Sequence, residues 1–136
     1  MNNEIIEWQS KYEVGIEDID FQHHFFLNLI NRLASELTGL NDIEYQNALI
    51  SELNAYARFH FISEENMMFR SGFPGYMNHK NLHLELIDQL SSRANMLAID
   101  NSNIESSHII GFLLNWFFTH TTTIDTEFAA YLKKRA

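Results

Sequence analysis

The chain of 136 residues contains no cysteine, one proline, five glycines and nine basic side chains against 18 acidic ones. Each shortage removes a class of structure or chemistry. Without cysteine there is no disulfide, no thiolate nucleophile and no Cys-based zinc or cluster site, so any metal has to be held by nitrogen and oxygen. With Pro74 alone and so few glycines, strand-rich architectures lack their turn residues, whereas long helices are hardly interrupted. A formal charge of -9 and a pI near 5.1 argue against nucleic acid or an anionic membrane as partner, because both need clustered Lys and Arg. No stretch approaches the roughly 18 uninterrupted apolar residues of a membrane span, and the start MNNEIIEWQSKYEVG has no apolar run of secretory length. The expectation is a cytoplasmic protein. Lys133, Lys134 and Arg135 read as the cations that favour a helix C-terminus.

What the chain does have is 46% hydrophobic content, enough for a continuous core in one domain over 1–136. Apolar or core-type residues recur in steps of three and four at His23, Leu27, Ile30, Ala34 and Leu37 before Gly39 supplies a stop. A second seam follows Asn41, read as a helix cap with Glu44 three residues on, and runs through Leu49, Leu53, Tyr56 and His60 to Ser71-Gly72. A third, with Pro74 at its start, carries His79, His83, Leu86, Leu90, Ala94 and Leu97; a fourth opens on Ser102 with Glu105 and carries Ile109, Leu113, Trp116 and His120. The spacing predicts helices near 18–38, 42–71, 75–98 and 103–134. Short connections make them antiparallel, giving an all-α, up-down-up-down four-helix bundle. Residues 1–17 form an extended arm anchored by Trp8.

Five of the seven histidines fall on these apolar seams, where a buried imidazole needs a partner. His60 and Glu64 are four apart, as are His79 and His83, so each pair projects from one helix face toward a common point. His23, His120 and Asp125 lie at a similar depth. Seven ligands exceed what one transition metal takes, whereas two octahedral ions bridged by Glu64, Asp125 and a solvent oxygen would use them and leave one ion five-coordinate. Imidazole mixed with carboxylate suits iron better than magnesium or calcium. His120 and Asp125 are five apart, about 140° on an ideal helix. A π-bulge, a bend or a sideways approach by Asp125 is expected there, at Thr121, Thr122 and Thr123. Phe26, Phe61, Trp116 and Phe118 sit within one turn of these histidines and are candidates for an apolar pocket. His24 and His108 fall off the seams, Met67 and Met68 read as gap-filling core, and Glu65 as a solvated or supporting group.

The runs VGIEDIDFQHH, ARFHFISEENMM, GFPGYMNHKNLH and NWFFTHTTTID resemble the hemerythrin family in its bacterial single-domain form, over most of the chain. By that resemblance His79, His83 and His120 hold a coordinatively saturated iron, His23 and His60 hold the iron with a vacant site, and Glu64 and Asp125 bridge. The function implied is reversible O2 binding for storage, delivery or buffering, with O2 held as hydroperoxide at the open iron and no protein acid or base required. The chain is thus expected not to be an enzyme. Oxygen or redox sensing through a partner protein is the second reading, and an oxidase or peroxide and nitric oxide side activity the third. Thr121 stands where the family usually has Ile, which suggests a wetter pocket or room for azide and nitric oxide.

Overall fold

In the computed structural model, residues 6–37, 42–99 and 103–135 are described. The seams read from the sequence form α1 (Glu17–Leu37), α2 (Ile43–Ser71), α3 (Tyr76–Ile99), and a last helix in three pieces: α4 (Asn103–Thr119), a π-helical turn (His120–Ile124) and α5 (Asp125–Arg135). Among the described residues no strand occurs, and no helix is long and apolar enough to cross a membrane. α1 packs on α2 and α4, and α3 on the same two, so the helices form a ring in chain order, the up-down-up-down bundle expected.

Helix ends account for most departures from expectation. Gly39, Asn41 and Ser102 lie outside the described residues. α2 is capped by Asp42 in place of Asn41, its side chain accepting the Tyr45 N–H at 3.1 Å. At the other end Gly72 adopts φ 71° and passes its N–H to the Phe69 carbonyl, while the Phe73 N–H reaches the Met68 carbonyl. That pair of bonds satisfies carbonyls a helix end leaves open. Pro74 is not the first residue of α3. It sits second in a turn closed by Tyr76 N–H to Phe73 O at 3.1 Å, and the helix starts at Tyr76.

The N-terminal arm is not extended throughout, because Ser10–Tyr12 makes a turn of 3-10 helix between extended Gln9 and Glu13. Trp8 does anchor it, stacking on His24 at 5.1 Å and meeting Tyr12 edge-on. Asn31 exchanges two hydrogen bonds with the Ile6 backbone, and Asp20 accepts the Val14 and Gly15 N–H groups.

Two apolar clusters result. The larger gathers Leu27, Ile30 and Leu33 of α1, Leu53 and Ala57 of α2, Leu86 and Leu90 of α3, and Leu113 and Phe117 of α4. The smaller joins Val14, Ile19, Met68, Phe128 and Ala129 at the opposite end. The histidine layer lies between them along α1, α2 and the last helix. Phe128 is the largest side chain of the smaller cluster and is fully buried. Phe128→Ala is expected to cost about 3–5 kcal/mol, read from urea unfolding of metal-free protein; a loss under 1 kcal/mol would show that end to be loosely packed.

Candidate metal centre

α1 supplies His23, α2 His60 and Glu64, α3 His79 and His83, and the last helix His120 and Asp125; all seven are buried. The step from His120 to Asp125 is met by the π turn, whose wider winding absorbs one extra residue and brings a five-residue spacing to one helix face. Of the three routes open from the sequence, the chain takes the π-bulge. The Asp125 N–H still bonds the His120 carbonyl, so the helix continues without a break.

The donor atoms sort into two groups, His79, His83, His120 and Glu64 in one, His23, His60, Glu64 and Asp125 in the other, each within 4.8 Å mutually. Glu64 Oε1 is 3.0 Å from His79 Nε2 and 3.3 Å from His83 Nε2, while its Oε2 is 3.7 Å from His60 Nε2 and 3.8 Å from His23 Nε2. Asp125 divides in the same way. Its Oδ1 is 2.9 Å from His79 Nε2 and 3.1 Å from His120 Nε2, and its Oδ2 is 2.9 Å from His23 Nε2. Each carboxylate therefore offers one oxygen to each group.

These approaches are short, but none has the direction of a well-formed hydrogen bond. Both oxygens of Glu64 and both of Asp125 are buried with no properly directed donor. The Nε2 atoms of His79 and His83 lie 3.0 and 3.2 Å from His120 Nε2, three ring nitrogens crowded together. Two rings have their proton placed on the outer nitrogen: His60 Nδ1 faces Gln22 Oε1 at 2.8 Å and His83 Nδ1 faces Glu65 Oε2 at 2.7 Å. Each then turns an Nε2 lone pair inward. Lone pairs facing buried carboxylates fit a cation and little else, so the residues present suit a metal.

Electrostatics agree. Burial pushes the His60 imidazole down to about 3, leaving it neutral. Burial works to raise both carboxylates, and the charge of Asp125 adds to this at Glu64, yet the surrounding imidazoles hold Glu64 at about 2 and Asp125 well below the carboxylate range. Burial works against charge on His79, but contact with Asp125 and Glu64 outweighs it and lifts this ring to about 9. His23 is raised for the same reason, chiefly by Asp125. In metal-free protein, imidazole protons thus supply the positive charge the carboxylates require.

Aromatic rings enclose the layer unevenly. Phe61 stacks on His83 at 3.9 Å and Trp116 on His120 at 4.6 Å, both against the three-histidine group. Phe26 meets His60 edge-on at 6.0 Å, and Phe117 meets His23 edge-on at 5.9 Å. Phe118 packs on Tyr12. Phe117 was absent from the sequence candidates, although it lies four residues after Leu113 and three before His120. Gln22 was missed as well, and no periodic signal marks it. Thr121 is buried. His24 and His108 are exposed and outside the cluster, and Met68 is core.

A family model described as the hemerythrin HHE cation binding domain matches residues 14–132. The chain belongs to the hemerythrin family. All seven convergent side chains lie inside the matched span. Bacteriohemerythrin of Stenotrophomonas maltophilia is 26% identical over 129 residues, 95% of this chain and 82% of that protein. Bacteriohemerythrin of Pseudomonas aeruginosa is 30% identical over 122 residues, 89% of this chain and 77% of that protein. The likeness extends to the myohemerythrin of Riftia pachyptila, 22% identical over 125 residues and 92% of each chain.

A ring raised above its ordinary value of 6.5, as His79 is, stabilises the fold fully below that pH and loses the contribution as pH climbs through about 9. His60, depressed, has the opposite sign: its contribution is present above 6.5 and fades as pH falls toward about 3. Metal-free protein is therefore expected to melt at its highest temperature near pH 6.5 and lower on both sides, and thermal scans that rise steadily to pH 9.5 would contradict this.

Proposed function

We propose that this chain, one domain over 1–136, binds O2 reversibly at two iron ions held by His23, His60, Glu64, His79, His83, His120 and Asp125. The observation that carries the reading is the division of both carboxylates, one oxygen to each donor group, the arrangement a bridging ligand needs. Three imidazoles with two bridging oxygens nearly fill one octahedral ion, and two imidazoles with the same bridges leave the other more open. Bound iron would supply the two electrons and the open coordination position that reversible O2 binding requires. Hemerythrins are oxygen-binding proteins rather than enzymes, and membership of that family supports the reading.

The chain's own residues define the surroundings. Phe26 borders the His60 ring and Phe117 the His23 ring, and neither carries a proton donor. Water is thereby kept from an otherwise charged site, which favours a small neutral diatomic over bulk solvent. Glu64 and Asp125 stay ionised while His60 stays neutral, the protonation state in which all three are ligands.

Anaerobic reduction of iron-loaded protein followed by oxygen admission tests the proposal. Two irons per chain and a visible charge-transfer band that disappears under argon and returns with O2 are expected; one iron per chain, or oxidation without reversal, would overturn it. Buried Thr121 adds a hydroxyl close to His120, and we expect it to admit water or small anions. Thr121→Ile should slow autoxidation several-fold and weaken azide binding. Equal decay rates of the oxygenated forms would show that the hydroxyl faces elsewhere.

A further inference from the structure

His60 and His83 are backed at their outer nitrogens by different acceptors. Behind His60 stands the amide of Gln22, and behind His83 the carboxylate of Glu65. Gln22 Oε1 faces the His60 ring while its Nε2 donates to Ser63 Oγ at 3.1 Å, and the Tyr56 hydroxyl donates to the backbone carbonyl of Gln22 at 3.0 Å. Glu65 is itself largely withdrawn from solvent, its side chain 14% exposed. In the two-histidine group the remaining ring, His23, has its Nδ1 buried with no acceptor among the described residues.

An acceptor behind a ligating imidazole governs how strongly the inward nitrogen donates. A carboxylate draws the Nδ1 proton further than a neutral amide does and makes the ring the stronger base toward a cation. A ring with no acceptor gains nothing of the kind. We propose that Gln22 and Glu65 are positioning residues that make the two cation positions unequal, the His79, His83 and His120 position binding tightly and the His23 and His60 position binding weakly. The inequality adds to the difference in imidazole number and acts in the same direction. A weakly donating pair leaves its cation electron-poor, which favours an added ligand there over one at the three-histidine position.

The inference rests on the two-cation reading given above, and the test separates the two. Cobalt(II) is loaded into the full chain under anaerobic conditions and withdrawn by a graded chelator, with visible absorption following each step. The wild type is expected to release cobalt in two resolved steps. Gln22→Glu keeps both hydrogen bonds, since the new carboxylate accepts from His60 and from Ser63, and adds only charge; it should tighten the first-released ion about 10-fold. Glu65→Gln likewise keeps the bond to His83 and should loosen the second-released ion about 10-fold, and the double exchange should bring the steps together. A purely structural role would move neither constant, because both variants preserve the hydrogen bond. Two ions per chain with stepwise constants within about twofold of wild type in both variants would overturn the inference and leave the two-cation reading standing. One ion per chain would overturn the reading beneath it.

Discussion

Glu64 and Asp125 are completely enclosed in an apolar bundle, and among the described residues no lysine or arginine stands within ion-pair distance of either. An ionised carboxylate in such surroundings is tolerated only when positive charge is brought to it. Here that charge has to come as protons on His79 and His23 in the metal-free chain, or as a cation between the five imidazoles. The need extends outward. Four helices must each deliver a side chain to the same level, which sets their relative depth. Gln22 and Glu65 must hold the ring protons on the outside, which draws polar side chains into partly buried places on α1 and α2.

The two apolar clusters follow from the same requirement. Leu27, Ile30, Leu53, Leu86 and Leu113 on one side, and Ile19, Met68 and Phe128 on the other, keep water from the layer. A wet cavity would screen the carboxylates and relax the demand for a cation. The clusters also make the bundle rigid around a polar layer that contributes little apolar burial of its own. The π turn belongs to this logic, since regular winding would carry Asp125 about 140° from His120 and leave one group without its carboxylate. The hydrogen bond from Asp125 N–H to the His120 carbonyl shows how small a change suffices.

Unequal surroundings distinguish the two groups. Phe61 and Trp116 lie face to face on His83 and His120, covering one group, whereas Phe26 and Phe117 meet His60 and His23 in T-shaped contacts. Stacked rings restrict motion of the imidazoles they cover. The two groups therefore differ both in the rings that face them and in the acceptors behind them.

Much of this was legible in the sequence, because the signals are local and periodic. Steps of three and four along each segment identify the helices and place His23, His60, His79, His83 and His120 on their inward faces, and spacing of four makes His60 with Glu64 a chelating pair. The five-residue gap to Asp125 announced an irregularity without naming it. Tertiary structure alone decided the rest. Gln22 reaches His60 across 38 positions of chain, and Glu65 reaches His83 across 18, contacts with no period to read. Whether Trp116 or Phe117 turns inward depends on how α4 is rotated against α1. How each carboxylate divides its oxygens depends on four helix positions at once, a sum over the whole bundle that no single segment contains.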